Sequence, residues 1–242
     1  MRFWTKALLI LFLSHASYAK PITIAVIDTG FGYKERGHQV KLCKYGHKDF
    51  TIDKQLSFSY DTQVPIPIDI ERHGTNIVGI IDDYLRNTNI DYCLVIIKFY
   101  SRRQSGEQNI LSTIRSMSYA INIGADYVNY SAGGPERNRF EEDAVKRFLD
   151  GGGKLVAAAG NEGLNLDLQE NAYYPAMYDP RIIVVGNLGI QGVRYSSSNY
   201  GSVVTKWEIG TNVTEYGITM TGTSQATALE TAKTVAKESK LR

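Results

Sequence analysis

Cysteine and proline are scarce in this chain. Its 242 residues include two cysteines, Cys43 and Cys93, and six scattered prolines. So few cysteines exclude a small fold held together by many disulfides, and the spacing of the pair matches no zinc site. In an exported protein the pair can form one disulfide, and two buried free thiols are the alternative. The absence of a Pro-rich spacer favours one compact domain.

Charge of one sign is not in excess either. The chain has 27 Lys and Arg residues against 25 Asp and Glu, a formal net charge of +2. Its 16 tyrosines are spread along the chain without a basic stripe beside them. Proteins that stack nucleic acid bases on aromatic side chains also cluster their basic residues, so we expect no nucleic-acid partner.

No apolar run reaches the length of about 20 residues that crosses a bilayer. The run Ala7–Leu13 follows two basic residues and precedes the small residue Ala19, which is typical of a secretory signal peptide. We therefore predict a signal peptide over residues 1–19 and one mature domain over residues 20–242. This arrangement predicts a secreted or periplasmic protein with no membrane span after signal removal.

Apolar segments of strand length alternate with helical patterns along the mature chain. The alternation is typical of an α/β fold, here a three-layer sandwich whose helices cover both faces of a mostly parallel sheet. Strands are predicted at Ile22–Ile27, Tyr92–Phe99, Tyr127–Tyr130, Lys154–Ala158 and Ile182–Val185. Helices are predicted at 74–85, 107–123, 138–149 and 224–237.

The segment 33–70 has no clear periodicity and is predicted to be a binding loop or a hairpin. Its histidines, His38 and His47, have no partner at metal-ligand spacing and are predicted to lie on the surface. This part of the chain is the least informative for function.

Four polar residues stand where predicted strands end or predicted helices begin. Asp28 and Asn161 follow strands, and His73 and Ser224 begin helices. In an open parallel sheet, the carboxyl ends of strands and the amino termini of helices converge on one edge, so the four side chains are expected to lie together. Acyl transfer by a serine nucleophile requires these groups: a hydroxyl, an imidazole, a carboxylate and an amide donor.

Five ordered motifs resemble those of subtilisin-like serine proteases, the subtilases or peptidase S8 family. AVIDTG resembles the family's aspartate motif, RHGTNIVGII its histidine motif, VNYSAGG its substrate-binding strand, AAAGNEG its oxyanion asparagine motif and GTSQATA its serine motif. The resemblance extends from Ile22 to Lys237. Five motifs in the family's order are far more specific than any one of them.

The resemblance implies an exported serine endopeptidase with a subtilisin-like fold. Ser224 would attack the peptide carbonyl, His73 would take its proton, and Asp28 would orient and stabilise the imidazole. The side-chain amide of Asn161 would donate to the oxyanion together with the Ser224 backbone N–H.

The resemblance also implies a protein or peptide substrate. An extended peptide would pair with Ser131, Ala132 and Gly133 through main-chain hydrogen bonds. No cofactor is required by this chemistry. A structural calcium is the one metal that the family often uses, and Asp82 and Asp83 are candidate ligands, but no loop pattern commits to it.

The chain departs from the family pattern in several places. Its first strand begins two residues after the predicted cut, so we expect no inhibitory pro-segment. Gln225 and Ala228 stand where the family's serine motif commonly has Met and Pro, and the chain ends soon after the serine helix. The chain would then fold unaided, be a rapidly folding variant or rely on a partner, and the identity of any folding partner or inhibitor is open.

Two alternative functions remain. Taken singly, Asp28 and Asn161 are typical turn residues, His73 is typical of a structural histidine, and Ser224 is typical of a helix cap. A non-catalytic subtilisin-like protein would bind peptides in the same cleft. A dimeric aspartic protease would use Asp28 from each chain, but it leaves the other three residues without a role.

Overall fold

The structure is a computed structural model that describes residues 20–32, 40–52, 54, 56–58 and 65–240. The predicted signal peptide, His38 and much of the segment 33–70 lie outside these residues. No helix among the described residues is long and apolar enough to cross a membrane.

A seven-stranded parallel sheet forms the centre of the described chain, in the spatial order β2-β5-β1-β6-β7-β8-β9. Its strands are β1 (Ile22–Asp28), β2 (Lys48–Asp49), β5 (Tyr92–Lys98), β6 (Tyr127–Tyr130), β7 (Lys154–Ala158), β8 (Ile183–Leu188) and β9 (Lys206–Ile209). Two antiparallel hairpins lie outside it: β3 (Leu56–Phe58) with β4 (Pro65–Pro67), and β10 (Val213–Glu215) with β11 (Ile218–Met220). The predicted fold class is confirmed.

Four helices of the described chain cover the two faces of the sheet. They are α1 (His73–Arg86), α2 (Gly106–Asn122), α3 (Arg139–Asp150) and α4 (Thr223–Ser239). Helices α1 and α4 share one apolar core, and α2 and α3 share another on the opposite face. The chain therefore has three layers, with β1 and β6 in the middle of the sheet.

Strand β1 shows why the sheet has two cores. All seven residues of ITIAVID are buried. Because side chains alternate across a strand, Ile24 and Val26 join the core under α1 and α4, whereas Ala25 and Ile27 join the core under α2 and α3. A continuous apolar run is what a strand covered on both faces requires.

Local side chains fix where the helices begin. Ser105 and Gln108 form a capping box at the start of α2, with each side chain bonded to the other's backbone N–H. The Asn138 side chain accepts from the N–H groups of Phe140 and Glu141 at the start of α3.

The segment 33–70 contributes more β-structure than the sequence indicated. It contributes β2 and the β3–β4 hairpin, so the hairpin prediction applies to part of it. The prediction of a surface His47 was wrong: its Nε2–H donates to the Cys43 carbonyl at 2.8 Å, and its Nδ1 accepts the Ile96 N–H at 3.0 Å. Cys43 and Cys93 form a disulfide, which settles the alternative left open by the sequence.

Candidate active site

Asp28 and His73 are joined at the carboxyl edge of the sheet. Asp28 ends β1, His73 is the first residue of α1, and their Oδ1 and Nδ1 atoms are 2.7 Å apart. The Asp28 side chain is 3% exposed, whereas that of His73 is 29% exposed. A carboxylate shielded from water thus holds an imidazole that reaches solvent. Because Nδ1–H donates to Asp28, Nε2 carries the lone pair that can accept a proton.

The electrostatics of the site favour a charged His73. Burial alone lowers the pKa of the imidazole, but the negative charge of Asp28, its hydrogen bond and the charge of Asp69 outweigh this, so the pKa is raised above 6.5. The remaining hydrogen bond to Asp28 Oδ1 comes from the Thr29 N–H at 2.7 Å. An imidazolium formed at this position is therefore stabilised by nearby carboxylates.

Asp69 ties together the segments that carry Asp28 and His73. Its Oδ1 accepts the Thr29 hydroxyl and the Arg72 N–H, both at 2.8 Å. Its Oδ2 accepts the N–H and hydroxyl of Thr75 at 2.7 and 2.6 Å. The Thr29 hydroxyl in turn accepts the Gly74 N–H at 2.8 Å. Asp69 thus fixes the start of α1, including Arg72, which has a left-handed φ of 67°.

Ser224 and Ser131 are in direct contact beside this pair. Ser131 follows Tyr130, whose partner on β1 is Ile27, so Asp28 and Ser131 leave neighbouring strands side by side. The Ser224 hydroxyl donates to the Ser131 carbonyl at 3.0 Å, and the Ser131 hydroxyl donates to the Ser224 carbonyl at 3.1 Å. No hydrogen bond joins Ser224 to His73 in this structure. Ala132 and Gly133 continue from Ser131 along the cleft.

Asn161 is held by the first residue of the serine helix. Its Oδ1 accepts the Thr223 N–H at 2.9 Å and the Thr223 hydroxyl at 3.2 Å. The same hydroxyl accepts the Gly160 N–H at 3.2 Å. With its oxygen occupied, the side chain of Asn161 has its two amide N–H groups left for another acceptor, and the residue is exposed.

Two buried amides connect the helices that carry His73 and Ser224. Gln225 Nε2 donates to Asn76 Oδ1 at 3.0 Å, and Asn76 Nδ2 donates to the Ile218 carbonyl at 2.9 Å. The sequence singled out Gln225 as a departure from the family motif, but it did not identify Asn76, Asp69 or Thr223. The polar Asn76 inside the apolar helical pattern of α1 is a signal that could have identified one of them.

Metal binding receives no support at this edge. Among the described residues no group of three His, Cys, Asp or Glu side chains is arranged to hold a metal ion. Asp82, a candidate calcium ligand, is fully buried and accepts hydrogen bonds from Arg86, Tyr92 and the Lys41 N–H. Its oxygens are therefore already engaged.

Proteins of known sequence similar to this chain include two proteases of Bacillus subtilis. The minor extracellular protease Epr is 30% identical over 217 residues, covering 86% of this chain and 30% of the relative. The major intracellular serine protease is 29% identical over 223 residues, covering 86% of this chain and 65% of the relative. The chain thus spans less than two thirds of the length of either relative.

Solved structures share the fold at low sequence identity. A cold adapted subtilisin-like serine proteinase has a TM-score of 0.69 at 23% identity, with 90% of this chain and 75% of that one covered. A lanthipeptide protease has a TM-score of 0.71 at 16% identity, with 91% and 76% covered. The subtilase family profile (peptidase S8) matches residues 19–238, nearly the whole described chain. The chain belongs to the subtilase family.

Proposed function

We propose that this chain is an exported serine endopeptidase that cleaves peptide bonds with Asp28, His73 and Ser224. The observation that carries the proposal is the hydrogen bond of 2.7 Å between Asp28 and His73, at the edge of the sheet where Ser224 lies in the first turn of α4. Family membership and the protease relatives support the same reaction.

The proposed role of His73 is to accept the Ser224 proton. A serine hydroxyl is a weak nucleophile at neutral pH, and an imidazole with a free Nε2 is a suitable base. The Ser224 hydroxyl must first leave the Ser131 carbonyl, which a rotation about its Cα–Cβ bond achieves. His73 must be neutral to act as the base, so activity is expected to be lost as the pH falls. Because the pKa of His73 is raised above 6.5, this acid limb should lie at a higher pH than for an ordinary histidine.

The proposed oxyanion site combines Asn161 with the amino terminus of α4. The Asn161 amide N–H groups are free of the bonds that hold its oxygen to Thr223. The Ser224 backbone N–H lies in the first turn of α4, where the helix dipole favours negative charge. Loss of one such donor typically raises the barrier by about 3 kcal/mol.

The proposed substrate-binding segment is Ser131, Ala132 and Gly133. These residues follow β6 at the carboxyl edge, where an added peptide strand reaches Ser224. Gly133 lies against Tyr173 and the Tyr174 carbonyl, with no room for a side chain on that side. A protein or peptide in extended form is therefore the substrate class that we propose.

Export is proposed on two observations. The sequence at residues 1–19 is typical of a signal peptide, and Cys43 and Cys93 form a disulfide of the kind that persists in oxidising compartments. The relatives include an extracellular and an intracellular protease. The folding partner or inhibitor expected from the sequence stays a prediction.

One observation favours the non-catalytic alternative. The Ser224 hydroxyl is bonded to Ser131 and not to His73, an arrangement that a peptide-binding relative could also keep. The aspartic-protease alternative is not proposed, because Asp28 Oδ1 is engaged by His73.

Labelling with a fluorophosphonate probe tests the proposal. The mature chain should be labelled, Ser224→Ala should not, and Asp28→Asn should be labelled far more slowly. Ser196→Ala is the matched control, since this serine is exposed and has no role in the proposed reaction. If the folded chain is not labelled and does not cleave unfolded casein, the enzyme proposal is wrong and the peptide-binding alternative stands.

A further inference from the structure

A cavity of about 680 Å³ lies beside the proposed substrate-binding segment. One wall is the chain from Ala132 to Pro135, and aromatic residues Phe99, Tyr100 and Tyr174 form much of the rest. We call it the side cavity. Gly134 is three residues from Ser131, about 10 Å along an extended chain, so the cavity is within reach of a peptide that pairs with this segment.

Glu141 forms the polar part of the side cavity. It is 3% exposed and lies in the first turn of α3, where the helix dipole favours a carboxylate. The Tyr178 hydroxyl donates to its Oε2 at 2.7 Å, and the Tyr130 hydroxyl donates to its Oε1 at 3.3 Å. Two ring-borne donors therefore fix the carboxylate in one place, and each oxygen keeps a lone pair for a further donor.

The charge around the side cavity is of one sign. Glu107 and Glu136 line its rim and are exposed, and no Lys or Arg lines it among the described residues. The neighbouring Arg137 is engaged with Glu142 at 2.8 Å. Burial raises the pKa of Glu141, while the Tyr178 and Tyr130 hydroxyls oppose the shift. A cation in the cavity would stabilise the charged carboxylate.

We propose that the side cavity selects a Lys or Arg side chain of the substrate, with Glu141 as the residue that recognises its charge. The inference rests on the proposed peptidase function and adds a preference to it. Aromatic walls pack against the aliphatic stem of such a side chain and attract its cation, and the carboxylate binds its terminal N–H groups. The selected residue lies a few positions from the scissile bond, because the cavity begins beyond Ser131.

A purely structural role for Glu141 is the competing explanation. Its bonds to Tyr130 and Tyr178 connect α3 to β6 and to the loop after β7. Removal of the charge would then reduce stability but leave the preference among substrates unchanged. The ratio of cleavage rates for a charged and a neutral substrate therefore distinguishes a structural role of Glu141 from charge recognition. A measurement of activity on one substrate does not.

The experiment uses fluorogenic peptides in which arginine or neutral citrulline is placed at each position in turn on both sides of the cleavage point. We expect the wild type to prefer arginine at one position by about 30-fold in kcat/KM, the size typical of a buried charge pair. Glu141→Gln should abolish this preference and keep the citrulline rate within about threefold. Glu170→Gln is the matched control, because Glu170 is exposed and is not among the residues that line the cavity.

Several outcomes overturn the inference. An enzyme that is labelled at Ser224 but shows no arginine preference at any position contradicts it without affecting the proposed function. A preference that survives in Glu141→Gln also contradicts it. If Glu141→Gln does not fold, the arginine and citrulline peptides are still compared with the wild type, and the absence of an arginine preference overturns the inference. Glu107→Gln, at the exposed rim, should then weaken the preference.

Failure of the proposed function is recognised separately. If the chain is not labelled, the same peptides are tested for binding to Ser224→Ala by fluorescence anisotropy. Tighter binding of the arginine peptide, lost in the double variant with Glu141→Gln, supports the side cavity as a cation site. Equal binding of the arginine and citrulline peptides overturns it.

Discussion

Asp69 forms hydrogen bonds with the segments on both sides of the proposed catalytic pair. It accepts hydrogen bonds from Thr29, which follows Asp28, and from Arg72 and Thr75, which flank His73. Its charge also contributes to the raised pKa of His73. Asp69 therefore contributes in two separable ways: its hydrogen bonds position the segments around His73, and its charge raises the pKa of His73.

Asp69→Asn should lower both the rate and the pKa of His73. An asparagine amide would place a donor against the Thr75 N–H, so the start of α1 should shift and kcat should fall by about tenfold or more. Loss of the negative charge lowers the pKa of His73, so the acid limb of kcat/KM against pH should move to lower pH. The measurement is a pH–rate profile.

Asp83→Asn serves as the control for this variant. Asp83 is exposed on the same helix, so its loss should leave the acid limb and kcat in place. A lower kcat for Asp69→Asn with an unmoved acid limb would mean that Asp69 acts through structure alone.

The residues with proposed roles could be picked out from the sequence because each belongs to an ordered motif. Asp28 ends β1 and His73 begins α1, and the two are hydrogen-bonded. Asn161 follows β7 and is hydrogen-bonded to Thr223, which begins α4 and precedes Ser224. Asp69 could not be predicted in this way. It is one carboxylate in an irregular segment, and its importance comes from donors on two separate parts of the chain.

At the scale of elements, the central strands were the most predictable part of the fold. Five strands are apolar because they are buried on both faces: β1, β5, β6, β7 and β8. Their predicted bounds differ from the observed ones by at most three residues. β9 and the β10–β11 hairpin were missed, because their residues are half-exposed and mix polar with apolar types. Short pairings of this kind depend on partners far along the chain.

Gly133→Ala should disturb the proposed substrate-binding segment. A Cβ at Gly133 would lie 2.5 Å from the Tyr174 carbonyl oxygen and 2.4 Å from the Tyr173 ring, so the segment must move. We expect a loss of about 1–3 kcal/mol in the free energy of unfolding, the usual cost of overpacking. Urea unfolding measures it.

Gly134→Ala is the matched control, because nothing lies within 4 Å of a Cβ built at this position. Its free energy of unfolding should stay within about 0.5 kcal/mol of the wild type. Equal losses for the two variants would show that the contact with Tyr173 and Tyr174 does not limit Gly133.

On the scale of the whole molecule, the disulfide closes a large loop. Cys43 and Cys93 are 50 residues apart, and the loop between them includes α1 with His73. A cross-link over this separation stabilises the folded chain by about 4 kcal/mol, since it restricts the unfolded chain. The double variant Cys43→Ala, Cys93→Ala should lose stability of this order in urea unfolding.

Reduction of the wild type provides the control. A reducing agent should lower the stability of the wild type toward that of the double variant and leave the double variant unchanged. A loss below about 1 kcal/mol in both tests would show that the disulfide is dispensable, and it would weaken the argument for an oxidising compartment.

His47 makes the stability of the whole chain depend on pH. Burial lowers its pKa to about 4, although the hydrogen bond to the Cys43 carbonyl opposes the shift. The unfolded chain therefore takes up a proton near pH 6.5, before the folded chain does. Stability contributed by neutral His47 is fully present above pH 6.5 and is lost between pH 6.5 and about 4, by about 3 kcal/mol.

Protonated His47 also cannot accept the Ile96 N–H, so protonation would leave this donor on β5 without its partner. Urea unfolding at pH 7.5, 5.5 and 4 should show the loss in the wild type and a smaller one in His47→Gln. The difference between the two chains isolates this histidine, because His73, with its raised pKa, contributes with the opposite sign to both. Parallel pH dependences for the two chains would mean that the folded chain binds the proton on His47 as readily as the unfolded one.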